Sequence, residues 1–145
     1  MSRRKYNWNV GSPPPPLDAH SRAKHQVLSN YLRRYIEIVA GPIQSEVLKL
    51  TLVDGFAGGG EYLLPDGSIW HGSPLIMLSK VEAARVIQQQ KRTKTFKLDA
   101  EFIFIEKRRE NAAYLNAAIR KSNVGSRISS EISIIQGKLR LKLTI

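Results

Sequence analysis

The run Val53-Asp54-Gly55-Phe56-Ala57-Gly58-Gly59-Gly60 places a carboxylate among glycines immediately after an apolar stretch. A glycine turn behind a strand lets the backbone come close to a ligand, because side chains there would clash. A second acid, Glu106, likewise follows an apolar run, Phe102 to Ile105. In open α/β sheets, ligands lie beyond the carboxyl ends of the strands, where strand order reverses, and both acids belong on that edge. Charge separates the candidate ligands. A carboxylate ending the second strand accepts hydrogen bonds from ribose in a nicotinamide or an adenosylmethionine site alike. Asp54 would repel a pyrophosphate but attract the ammonium and sulfonium of adenosylmethionine. The dinucleotide fingerprint also wants its acid about 20 residues on, whereas Glu106 stands roughly fifty positions past the turn. S-adenosylmethionine is therefore the expected cofactor. Asp54, Gly55, Phe56, Ala57, Gly58 and Gly60 would form its turn, and Glu106 would take the ribose.

Other reactive types are weaker. His20 and Lys24 share a helix face one turn apart, while His25 is turned about 100° away. Two histidines without an acidic cluster or cysteine make a poor metal site, and no metal is expected. These residues read first as a helix surface over the sheet edge. Ser73, in Gly72-Ser73-Pro74, has no histidine–acid pair to activate it and reads as a helix cap, with Pro74 at the first helical position. The free N–H groups of that helix start can meet an anion. Trp70 and His71 suit a pocket floor or a loop anchor equally. Lys107 to Arg109, after Glu106, can meet phosphate or simply open the next helix.

The elements that must position these residues alternate. Residues 1–17 read as a proline-rich flexible leader, since Pro13 to Pro16 favour an extended spacer. From Asp18 to Val39 an apolar stripe at three- and four-residue steps predicts a helix, capped by Asp18 or Ser21 and stopped by Gly41-Pro42. Val47 to Val53 predicts a buried strand. A loop through Pro65-Asp66-Gly67 leads to a helix ending near Gln90, and Lys91 to Lys97 is a basic connector. Glu101 to Ile105 predicts a second buried strand, Asn111 to Lys121 a helix, and Ser130 to Ile135 a third strand. Alternation of this kind argues for an α/β fold, a Rossmann-like parallel sheet preceded by an α-helix. The domain is expected over 18–137, with an atypical basic and apolar tail at 138–145.

The glycine run resembles the first motif of class I methyltransferases, including the Asp-x-Phe-Ala-Gly form of several DNA methyltransferases. More of the chain resembles the three-Cys-motif partner (TcmP) proteins. Trp8, the His20-Ser21-Arg22-Ala23-Lys24-His25 segment, Tyr31-Leu32, the Asp54 turn, Gly72-Ser73-Pro74-Leu75 and Phe102 to Lys107 carry the likeness, from about Trp8 to Gly137. It implies a bacterial protein with a methyltransferase-like, adenosylmethionine-binding domain, and a partner bearing a cysteine motif encoded nearby. It brings no defined activity. It also implies that Lys24 and His25 overhang the cofactor or substrate pocket, with Ser73 beside them.

The composition, 42% hydrophobic and 24% charged over 145 residues, suits one globular domain with a core of its own. With no cysteine, disulfides, thiolate metal sites and cysteine nucleophiles are excluded. A basic start leading into polar, aromatic and proline residues is unlike a signal peptide, and no membrane segment is expected, so a cytoplasmic setting is. The net charge of +11 favours DNA or RNA as a partner, although solvated basic helix faces would give the same number. The residues that aim a methyl acceptor in class I methyltransferases usually follow a fourth strand, and this chain reads as the N-terminal half of such a domain. Lys138 stands where that resemblance expects an acid, and Lys138 to Ile145 alternates basic and apolar residues, as a truncated or out-of-frame ending would. Catalytic residues stay unassigned. The leading reading is an adenosylmethionine-binding, methyltransferase-related protein acting on or near nucleic acid. The alternatives are a basic nucleic-acid-binding module without cofactor and an inactive truncated remnant.

Overall fold

The computed structural model describes residues 6–41, 46–122 and 130–137. Helix α1 (Ala19–Ala40) forms because His25, Leu32, Ile36 and Ala40 repeat on one buried face. Asp18 caps it, accepting from the Ser21 N–H at 2.7 Å, and Gly41 at φ 63° ends it. Strand β1 (Val47–Asp54) follows, then β2 (Glu61–Leu63) and β3 (Ile69–His71), helix α2 (Ser73–Gln90), strand β4 (Lys97–Glu106), helix α3 (Arg109–Ser122) and strand β5 (Ser130–Gln136). The tail expected at 138–145 and the Pro42 stop lie outside the described residues.

β1, β4 and β5 make a parallel sheet in the order β1-β4-β5. The α/β alternation therefore produces the expected parallel pairing. Leu48, Leu50 and Leu52 of β1 lie on one face with Leu98, Ala100, Phe102 and Phe104 of β4 and Ile132 and Ile134 of β5. That face packs on Leu32 and Ile36 of α1, Leu75, Leu78 and Val81 of α2, and Leu115 and Ile119 of α3. The alternate residues Val47, Lys49, Thr51 and Val53, with Glu101, Glu131 and Ile135, are exposed.

Four expectations change. β1 is half-exposed rather than buried, because among the described residues it pairs only with β4 and packs on one face. Strand order runs β1-β4-β5 without reversing, so these three strands do not themselves make a switch point. The loop after the glycines is an antiparallel hairpin, β2 with β3, turned at Asp66-Gly67, where Ser68 N–H donates to Asp66 Oδ1 at 2.9 Å. The leader, where described, is docked. Leu17 N–H donates to the Leu63 carbonyl (3.1 Å), Leu63 N–H to the Pro15 carbonyl (2.9 Å), and Trp8 is 3% exposed. Prolines lack the donors to join a sheet fully, yet their carbonyls serve an edge strand, and an indole repays ordering the chain around it.

Candidate functional site

The turn leaves β1 at Asp54 and reaches β2 at Glu61. Asp54 Oδ1 accepts from the Phe56 N–H at 3.0 Å, a local side-chain turn that starts the reversal. Asp54 Oδ2 accepts from the Ser73 hydroxyl. Gly72, not Ser73, is the N-cap of α2, and Ser73 is its first residue. Ser73 thus bridges the helix start to the strand-end acid instead of closing its own helix, a correction to the cap expectation. Ala57 N–H donates to the Ile105 carbonyl at 3.0 Å, which ties the turn to β4.

Gly58 (φ 68°) and Gly60 (φ 88°) take left-handed conformations that side chains resist. A Cβ at Gly60 would stand 2.8 Å from Leu115 Cδ1, one at Gly58 3.0 Å from the Trp8 ring, and one at Gly59 inside that ring. Here the close approach that glycine permits is used first by the protein's own indole. Trp8 Nε1–H donates to the Glu61 carbonyl at 2.6 Å, and Trp8 N–H to Asn111 Oδ1 at 3.1 Å. Tyr62 meets the indole edge-on, with ring centroids 5.4 Å apart.

Glu106 is brought to the turn as expected, but its first task is internal. It is 8% exposed; Oε2 accepts from Gly58 N–H (2.8 Å), and Oε1 from Arg108 N–H (3.1 Å) and Asn111 Nδ2–H (3.3 Å). A carboxylate offers about four acceptor positions, and donors among the described residues take three of them. Asn111 serves both Trp8 and Glu106, and sequence reasoning missed it, as it missed Tyr62. Their only signals are position: the third residue of α3, and the second residue after the glycines. Phe56 is the opposite case. It projects 86% exposed at the rim of the turn, beside Asp54 and Gly55.

His25 and Lys24 do not act together. Lys24 lies on the outer face of α1 with His20, Val27 and Tyr31. His25 points inward, is 8% exposed, and takes the Trp70 Nε1–H on its Nδ1 at 3.0 Å. Burial pushes its pKa below the usual 6.5, with Asp54 and Asp18 pulling the other way. Trp70 is a wall shared by this histidine and Arg22, whose guanidinium lies 5.0 Å over the ring. Burial, followed by the charges of Tyr6, Asp18, Asp54 and Glu106, raises the Tyr62 phenol well above its ordinary value. Tyr6 donates its hydroxyl to Asp18, closing an aromatic group of Tyr6, Trp8, Tyr62 and His25 under the hairpin. Among the described residues, no group of three or more His, Asp or Glu side chains is placed to hold a metal ion. No described helix is long and apolar enough to cross a membrane.

Compared with family models, with curated proteins and with solved structures, the chain finds no match in any of the three.

Proposed function

We propose that this chain is a TcmP-like, Rossmann-type protein that binds S-adenosylmethionine at the rim formed by Asp54, Gly55, Phe56 and Ala57. The observation that carries the reading is the joining of two strand-end acids through one glycine turn. Asp54 and Glu106 end adjacent parallel strands, and Gly58 N–H is held by the Glu106 carboxylate at 2.8 Å. Ligands of α/β sheets lie beyond the carboxyl ends of the strands, the end that both acids occupy, although β1, β4 and β5 do not themselves form the strand-order reversal. Asp54 supplies the negative charge that suits a sulfonium and an ammonium, Phe56 supplies an exposed ring, and the fourth acceptor position of Glu106 suits a ribose hydroxyl. When bound, the cofactor would bring an electrophilic methyl group. The protein's part is to orient it, and no residue is assigned to transfer. Exposed Lys107 and Arg109 flank the same edge and favour a nucleic-acid target or a partner that handles one. A three-Cys-motif protein is the proposed partner.

Calorimetric titration with adenosylmethionine tests this. The parent protein should bind, and Asp54→Asn, which keeps the oxygen facing Phe56 but removes the charge, should weaken binding about tenfold, the weight of one charge-assisted contact. Absence of heat with the parent protein would sink the proposal. Salt-sensitive DNA binding indifferent to Asp54 and Glu106 would put a cofactor-free nucleic-acid module in its place.

A further inference from the structure

A cavity of about 550 Å³ opens between α1 and the hairpin. His25, Gln26, Ser29 and Asn30 line it from α1, and Trp70 and Ile76 from the other side. Its size falls within the range of small-molecule sites. The chain carries a formal charge of +11, yet among the described residues no Lys, Arg, Asp or Glu lines this cavity. Its polar groups are two amides, a hydroxyl and imidazoles. Gln26 and Asn30 are four residues apart on one helix face, so both amides reach the same space. Each presents a donor and an acceptor, the pairing that reads the edge of a nucleobase.

His25 gives the second, independent sign. An indole N–H only donates, so the Nδ1 that faces it is a lone pair, and the proton of the neutral ring is on Nε2. Nε2 has no hydrogen-bond partner among the described residues, where no inaccessible polar side-chain atom is left without one, so Nε2 keeps access to solvent. The residue that carries it lines the cavity. A nine-tenths buried imidazole, locked in one tautomer by Trp70, offers a single donor to whatever enters. The indole supplies a flat wall, and Arg22 over the ring holds it in place.

We infer that this cavity is a site for a neutral, planar heterocycle of the nucleobase kind, with His25 Nε2–H donating to it, Asn30 and Gln26 reading its edge, and Trp70 against its plane. As a methyl-acceptor pocket it rests on the adenosylmethionine reading. As a binding site it does not, and binding is what the test reads.

Nucleosides (adenosine, guanosine, cytidine, thymidine) and a short single-stranded oligonucleotide are titrated without adenosylmethionine, following tryptophan emission in Trp8→Phe, where Trp70 is the sole tryptophan. Saturable quenching by at least one nucleoside, weakened about tenfold in Asn30→Ala, is expected, the loss of one hydrogen bond. Asn30 is exposed, so that substitution spares the fold. Quenching by the oligonucleotide alone, again sensitive to Asn30→Ala, assigns the site to a base carried in a strand. Oligonucleotide binding indifferent to Asn30→Ala and His25→Gln, or no saturable signal from any ligand, overturns the inference. In either case the adenosylmethionine titration stands or falls separately.

Discussion

Replacing Trp8 by alanine tests whether residues 6–17 belong to the folded domain. Trp8 is 3% exposed, and truncating a buried tryptophan costs about 3–5 kcal/mol. Part of that sum is the hydrogen bond from Nε1 to the Glu61 carbonyl, about 1 kcal/mol, and part the edge-on contact with Tyr62, about 1 kcal/mol. The backbone bond from Trp8 N–H to Asn111 survives the change. A total near 4 kcal/mol is a large share of the ~5–15 kcal/mol that holds a domain of this size. At a urea slope of about 2 kcal/mol per molar, the midpoint should fall by about 2 M. Urea titration followed by far-UV circular dichroism measures it, with Trp8→Phe expected to fall between parent and alanine. A flexible leader makes the opposite prediction, a shift within about 0.5 kcal/mol, as for a surface change. A loss below about 1 kcal/mol would refute the docking of Trp8 and, with it, the covering of Gly58 and Gly59 by its ring.

Three further outcomes follow from the same geometry. Gly59→Ala should destabilise about as much as losing Trp8, because its methyl would enter the indole; it should cost little in a Trp8→Ala background, a non-additivity read by the same urea titration. Stability should fall as pH drops below about 6.5, because the unfolded chain protonates His25 before the buried, neutral folded form does; the charges of Asp54 and Asp18 moderate this, and His25→Gln should flatten the slope. Tyr114, raised to about 12 by burial and then by Glu61, which accepts its hydroxyl at 3.1 Å, should ionise late in an ultraviolet titration; its contribution to stability is intact below pH 10 and lost as pH rises toward 12, and Glu61→Gln should bring the titration earlier.

How much could be read in advance depends on the range of the interaction. α1 and α3 were legible because each buries residues at helical spacing, α2 from its Gly-Ser-Pro start, and the ends of α1 were marked by local chemistry, Asp18 and Gly41. The strands were legible as apolar runs, but Lys49 and Thr51 also announced β1's one bare face, since a strand covered on both sides has no place for them. The turn was legible as glycine spacing. What occupies its glycines was not, because Trp8 and Gly59 are far apart in the chain and no local pattern pairs them. The same holds for Ser73: Gly-Ser-Pro describes a helix start well, and only the folded β1 shows that its hydroxyl has a stronger acceptor in Asp54 than in its own helix. This bears directly on function. A glycine turn in sequence says that something must come close; whether that is a ligand or the protein itself is decided by distant residues. Here the answer divides along the turn. Gly58 and Gly59 are taken by Trp8, while Asp54, Gly55 and Phe56 lie where the proposed cofactor would meet the turn. Any cofactor therefore meets the turn at its Asp54 end, and substitutions at Phe56 should disturb binding without disturbing the fold.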